Sequence, residues 1–230
     1  KEVQPLGGTQ HKSDFKICYT NGTELGVSAK NISKSGATHD WVNTSKSDLL
    51  KESKHLEEVR EYMKKIRALP LVERADYKQP FKEFRKEHAK RFLNSLNHNK
   101  INDFLKEVFE PIENQKIMVN DKKLKKIQFY DGKDHPIFDY IDNDNWRFVL
   151  KQQRAVESAS LFAVSQNDSS EINLHLRIRQ VTSNGDSAAI GLNEGKKGKN
   201  KHSSLVIKVQ QDDLPKLYSE LAAKNKLISF

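Results

Sequence analysis

Residues 7–31 read GGTQHKSDFKICYTNGTELGVSAKN, Gly7 to Asn31, and this stretch decides the fold. After Asp14, residues Phe15, Ile17 and Tyr19 alternate with Lys16, Cys18 and Thr20, the period of a half-buried strand. Asn21-Gly22 supplies the two positive-φ positions of a type I′ turn, so the spacing predicts a second, antiparallel strand over Thr23 to Lys30. On that strand Leu25 and Val27 share one face, and Ser28 and Lys30 share the other. A two-residue turn sets Thr20 opposite Thr23 and Asp14 opposite Ala29, diagonal to Ser28 and Lys30 and within reach of a long side chain.

A carboxylate beside a lysine at a hairpin mouth suits metal-assisted phosphodiester hydrolysis. The carboxylate holds Mg²⁺, the metal polarises the phosphate and lowers the pKa of a bound water, and the lysine steadies the nucleophile or the developing charge. The same residues also suit plain structural roles, Asp14 as a strand-edge turn residue and Lys30 as a solvated strand end.

Gly7-Gly8 followed by Lys12-x-Asp14, a hairpin, and then Val27-Ser28-Ala29-Lys30 resembles the PD-(D/E)xK nuclease superfamily. Within it, the pattern is similar to type II restriction endonucleases with a glycine-rich, lysine-containing first half-motif. The resemblance implies that Asp14 is a catalytic metal ligand, that the Ala29 carbonyl is a further ligand, and that Lys30 orients or activates the attacking water. Ser13 stands where proline is common, and Ser28 stands in the place of the usual second acid. In such nucleases a serine there goes with an acid from a nearby helix, which makes Asp48, Glu52 and Asp40 candidates. Asp48 and Glu52 are four residues apart and so share one helical face. The resemblance further implies Mg²⁺ as cofactor, double-stranded DNA as substrate, and a homodimer matched to palindromic sites. A helix normally precedes the first strand in this superfamily, and it is expected upstream of Lys1. The competing reading is a noncatalytic nucleic-acid-binding module on the same fold.

Composition bounds the rest. Lys and Arg number 40 against 31 Asp and Glu, a net charge of +9 with a pI near 9.4, which favours a polyanionic partner. A length of 230 residues suits one α+β domain over 1–230: a central sheet with the hairpin, a helical insert at 47–110, flanking helices, and further sheet with a DNA-binding region at 125–230. Cys18 is the single cysteine, so an internal disulfide and a cysteine-built zinc cluster are excluded, and it reads as a small packed residue. No apolar stretch approaches the length of a membrane span and no signal peptide opens the chain, so a soluble cytoplasmic protein is expected. Dinucleotide, P-loop, HExxH and G-x-S-x-G motifs are absent, which removes support for hydride transfer, NTP hydrolysis, zinc proteolysis and serine hydrolysis.

Residues 31–44 read as a polar loop in which Asn31, Ser33, Lys34 and Thr38 can donate to phosphates, while His39 has no metal-ligand spacing. Helices are expected from Ser47 to before Pro70, after Pro80, and over about Lys100 to Phe109. The mixed-sign run Lys82 to Lys90 reads as a solvated helix face. Strands are expected at Ile127–Tyr130, Ile137–Tyr140, Ser160–Val164 and Leu205–Gln210, and 146–153 suits a short helix or a strand. Asp212 or Asp213 should cap a last helix before Pro215. Ile172, Leu174, Leu176 and Ile178 alternate with Asn173, His175, Arg177 and Arg179, so one face is core and the other carries donors, with Gln180 near them. Arg177 and Arg179 suit guanine edges or phosphates, and the loop holding Lys196, Lys197 and Lys199 suits salt-dependent phosphate contacts.

Overall fold

A computed structural model of the protein describes residues 1–6, 14–32, 37–43, 47–109, 115–121, 126–199, 202–226 and 228–229, and the side chains at 30–32, 37–43, 48, 115, 116, 118–121, 126, 214, 215, 228 and 229 lie outside the description. The fold is α+β. It opens with strands β1 (Glu2–Pro5), β2 (Phe15–Cys18), β3 (Glu24–Ile32) and β4 (Ala37–Asn43). Helices α1 (Asp48–Lys51), α2 (Lys54–Arg67), α3 (Lys78–Ser95) and α4 (His98–Phe109) follow, then strands β5 (Gln115–Asp121) and β6 (Lys126–Asp131). Next come β7 (Trp146–Gln152), β8 (Ser158–Ser165), β9 (Glu171–Thr182), the short α5 (Asp186–Ala189), β10 (Leu205–Gln211), α6 (Leu214–Ala223) and β11 (Ile228–Ser229).

The chain forms two interleaved compact units: Lys1–His39 with Leu105–Asp144 and Gln211–Phe230, and Asp40–Phe104 with Asn145–Gln210. The helices of the expected 47–110 insert therefore fall largely with strands β7 to β10.

The first unit is a six-stranded sheet in the order β1-β2-β3-β5-β6-β11. Its pairs are antiparallel except β3 with β5, where the chain returns after a long excursion and so can run parallel. Ile117 and Tyr130 from the sheet pack with Leu217, Tyr218 and Leu221 of α6. Asp213 caps α6, accepting the Lys216 N–H at 3.0 Å, as its place before a proline predicts. The expected strand at 137–140 is instead a 3-10 helix over Pro136–Asp139. Pro136 is set for a first helical turn, and the His135 ring accepts the Ile137 N–H at 3.1 Å, so the helical start outweighs the apolar run.

The hairpin between β2 and β3 forms, with a register one residue away from the expected one. Gly22 N–H donates to the Tyr19 carbonyl at 3.0 Å and Tyr19 N–H to the Thr23 carbonyl at 2.9 Å, so Thr20-Asn21-Gly22 make a three-residue loop. Only Gly22 has positive φ, +82°, while Asn21 uses its side chain to accept the Thr23 N–H at 3.1 Å. This is a type I turn closed by a glycine bulge rather than a type I′ turn, and Asn-Gly serves both. Phe15 consequently faces Val27 and Ile17 faces Leu25. The regular ladder ends at the Phe15–Val27 pair, and the Asp14 N–H also turns to the Val27 carbonyl, at 2.8 Å, so the alternation is broken at Asp14 and the expected strand pairing of Asp14 with Ala29 is not formed.

In the second unit the sheet order is β4-β10-β9-β8-β7. β4 replaces the polar loop expected over 31–44, and its Thr38, Trp41 and Val42 are residue types that favour strands. The stretch at 146–153 resolves as the strand β7. The stripe Leu56, Val59, Met63 and Ile66 of α2 is buried, as are Phe81, Ala89, Phe92 and Leu93 of α3, which packs on α2 and on β8 and β9. The run Lys82 to Lys90 is not wholly solvated, because it contains the buried Arg85 and His88. Arg85 clamps Asp186 through Nε to Oδ1 at 2.8 Å and Nη2 to Oδ2 at 3.2 Å, and its Nη1 donates to the Gln180 carbonyl at 3.1 Å. Arg67 reaches the carbonyls of Ala189 and Ser203 at 2.6 and 3.0 Å, so two helices fasten the connection from β9 to β10.

Candidate functional site

The hairpin mouth gathers Asp14, Ser28 and Ala29. Asp14 begins β2's approach to the turn, with its own N–H donating to the Val27 carbonyl at 2.8 Å. Its Oδ2 accepts the Ala29 N–H at 2.6 Å, and Ser28 Oγ stands 3.5 Å from the same oxygen. Asp14 thus takes over, with its side chain, the edge of β3 that β2 no longer covers. In an extended strand the N–H and C=O of one residue point to the same edge, so the Ala29 carbonyl faces the side on which Asp14 lies. Ser28 is buried, whereas Asp14 is an exposed residue.

Position 30 lies on the same strand face as Ser28, two residues further along β3, while the Lys30 side chain is outside the described part. The other carboxylate of this face, Glu24, is engaged elsewhere: Lys16 Nζ donates to it at 2.7 Å. That hydrogen bond raises the Lys16 pKa and lowers that of Glu24. Cys18, a half-buried free thiol, also lies with its Sγ 3.7 Å from Glu24 Oε1.

Of the acids considered as a second ligand, Asp40, Asp48 and Glu52 all belong to the second unit. Glu52 is exposed at the C-cap of α1, and the side chains of Asp40 and Asp48 lie outside the description. Ser47 caps α1 by accepting the Leu50 N–H at 3.2 Å, but the single helix expected from here to before Pro70 is broken at Glu52–Ser53, so Asp48 and Glu52 stand at the two ends of one short turn. Lys34 lies outside the described residues.

The distal basic residues divide into two groups. Arg177 and Arg179 sit on the β9 face opposite Leu176 and Ile178, paired across the ladder with Ser160 and Ser158. They are half-buried, and Arg179 Nε is closed off from solvent without a hydrogen-bond partner. Gln180 is buried on the core side rather than beside the arginines. A bulge in β9 near Leu174 and His175 interrupts the expected alternation, with His175 at φ 52°. Lys196, Lys197 and Lys199 are exposed on a loop anchored from below, where Arg74 Nη1 meets Glu194 Oε2 at 2.8 Å and the Gly191 carbonyl at 3.3 Å.

One chemistry-bearing group escapes sequence reading: His55 and Glu58 of α2 with His88 of α3. The spacing of His55 and Glu58 on one helical face is a usable signal, but His88 joins them only through the packing of two helices.

The chain matches no protein-family model and has no significant match among curated proteins or solved structures. Among the described residues no helix is long and apolar enough to cross a membrane.

Proposed function

We propose that the protein is a Mg²⁺-dependent endonuclease that hydrolyses phosphodiester bonds of double-stranded DNA, acting at specific sites like a type II restriction enzyme. The observation that carries this reading is the Asp14 carboxylate seated on the Ser28-Ala29 edge of β3, immediately before position 30. Asp14 and the Ala29 carbonyl are hard oxygen donors, the set that Mg²⁺ prefers alongside water and substrate phosphate. When bound, Mg²⁺ supplies Lewis-acid stabilisation and a more acidic water. Asp14 is held in place by the Ala29 N–H and flanked by Ser28, so it meets a cation without reorganising. Lys30 orients the attacking water and balances developing charge.

Lys196, Lys197 and Lys199 contact phosphates, as does Lys34, while Arg177 and Arg179 read base edges or adjoining phosphates. A net charge of +9 supports a polyanionic partner. Specific palindromic targets would be met by a homodimer, and restriction of foreign DNA would locate the protein in the cytoplasm.

The second reading, a noncatalytic DNA- or RNA-binding module, is favoured by one observation. Ser28 occupies the place of the second acid, and Glu24 on the same face is taken by Lys16. Incubation of supercoiled plasmid with the protein in Mg²⁺, Mn²⁺, Ca²⁺ or EDTA separates the two. Discrete fragments in Mg²⁺ or Mn²⁺ and intact plasmid in EDTA are expected, whereas binding without cutting under every condition supports the module.

A further inference from the structure

We propose that His55, Glu58 and His88 bind one divalent transition-metal ion, zinc(II) or a close analogue, which pins α2 to α3. His55 and Glu58 stand three residues apart on α2 and rise from one face, and α3 brings His88 against them. One ligand atom from each residue lies within 4.8 Å of the others. Tetrahedral zinc with bonds of about 2.0–2.1 Å holds its ligands about 3.3 Å apart, so small rotations about the side-chain bonds close the group on an ion.

The polar contacts point the same way. His88 Nδ1 lies 3.0 Å from Glu58 Oε2, yet the two form no hydrogen bond. His55 Nδ1 is likewise shut away from solvent without a hydrogen-bond partner. Buried polar atoms of this kind are normally satisfied, and a cation held among the three residues supplies what the neighbouring side chains do not. An ion pair between His88 and Glu58 alone would leave His55 unexplained.

The surroundings suit a metal ligand. His88 is 5% exposed, with the Phe84 ring stacked on it at 4.1 Å and Tyr62 packed on Phe84 at 4.7 Å, which fixes the imidazole plane. Two imidazoles and one carboxylate select zinc and its neighbours over Mg²⁺, which separates this site from the all-oxygen set at the hairpin. Half-buried His55 and Glu58 leave an approach from solvent and a fourth position for water.

The test titrates zinc(II) into the whole protein by calorimetry, with cobalt(II) absorption reporting coordination and thermal melting reporting stability. One saturable zinc site per chain and a higher Tm with zinc are expected. His55→Ala and Glu58→Gln should each weaken binding by at least about tenfold and remove the Tm gain. His202→Ala, at an exposed histidine outside the cluster, should change neither. Circular dichroism verifies folding, and Glu58→Gln, the near-isosteric change at a half-buried position, decides the matter if His55→Ala fails to fold. No saturable binding by the wild-type chain, or binding that survives in the folded variants, overturns the proposal. The readouts are independent of nuclease activity, so failure of the hairpin assignment leaves them intact.

Discussion

Asp14 Oδ2 accepts the Ala29 backbone N–H at 2.6 Å, joining the end of one strand to the uncovered edge of its neighbour. That contact lies just beyond the ladder, which ends at Phe15–Val27, where the Asp14 N–H turns to the Val27 carbonyl at 2.8 Å.

Removing Arg85 should be the most damaging single change to the second unit. Its guanidinium is the bidentate partner of Asp186, whose side chain is 16% exposed. Arg85→Ala leaves that carboxylate enclosed without its cation, and a loss of about 3–5 kcal/mol is expected in urea unfolding. Arg85→Met with Asp186→Leu should recover much of the loss. A cost below about 1 kcal/mol for Arg85→Ala would mean that the pair behaves as an exposed one.

Acid should weaken the first unit through His135. Burial lowers its pKa from 6.5 to about 3, and its Nδ1, which accepts the Ile137 N–H, carries no proton. Between these values the unfolded chain binds a proton that the folded chain does not. The contribution is complete above about pH 6.5 and is lost as pH falls, with a slope of at most about 1.4 kcal/mol per pH unit until about pH 3. His135→Asn keeps an acceptor for Ile137 and removes the titration, so its stability should fall less steeply with acid than that of the wild type. Parallel stability–pH curves would contradict this.

Replacing Lys196, Lys197 and Lys199 together by alanine should weaken DNA binding similarly on all sequences. It should also flatten the dependence of log K on log salt by about 0.9 for each phosphate that is no longer neutralised. Arg177→Ala and Arg179→Ala should instead cost about 1–3 kcal/mol on the preferred site and much less on scrambled duplex. Binding series on both duplexes at two salt concentrations measure the difference. Equal losses on both would reassign the arginines to phosphate contact or packing.

The readable parts of the chain are those where one local pattern decides the outcome. The stripe Leu56, Val59, Met63 and Ile66 has helical spacing and a matching apolar partner surface, and Asp213 precedes a proline in the usual capping arrangement. Asn21-Gly22 announces a hairpin but fits two loop lengths, so the strands are legible and their register is not. β5 carries Lys116 and Asn120 among apolar residues, and its identity depends on a parallel partner nearly ninety residues earlier, as in the Gly26–Gln115 pairing. The same rule governs the sites. Asp14, Ser28 and position 30 lie along one hairpin, so their proximity is legible in its sequence although the register between them is not. His88 meets His55 and Glu58 only when α3 packs on α2, and Arg85 and His88 inside a charged run become buried for the same reason.

The most direct measurement is single-turnover cleavage of duplex DNA in Mg²⁺ by the wild-type chain, Asp14→Asn and Lys30→Ala, beside duplex binding in Ca²⁺. Loss of a metal-binding carboxylate removes several kcal/mol of stabilisation, so each variant should cut at least about 10³-fold more slowly. Both should remain folded and should bind DNA with affinity close to wild type. Wild-type rates in either folded variant, or no cutting by the wild-type chain in any divalent cation, would contradict the assignment of the hairpin as a nuclease site.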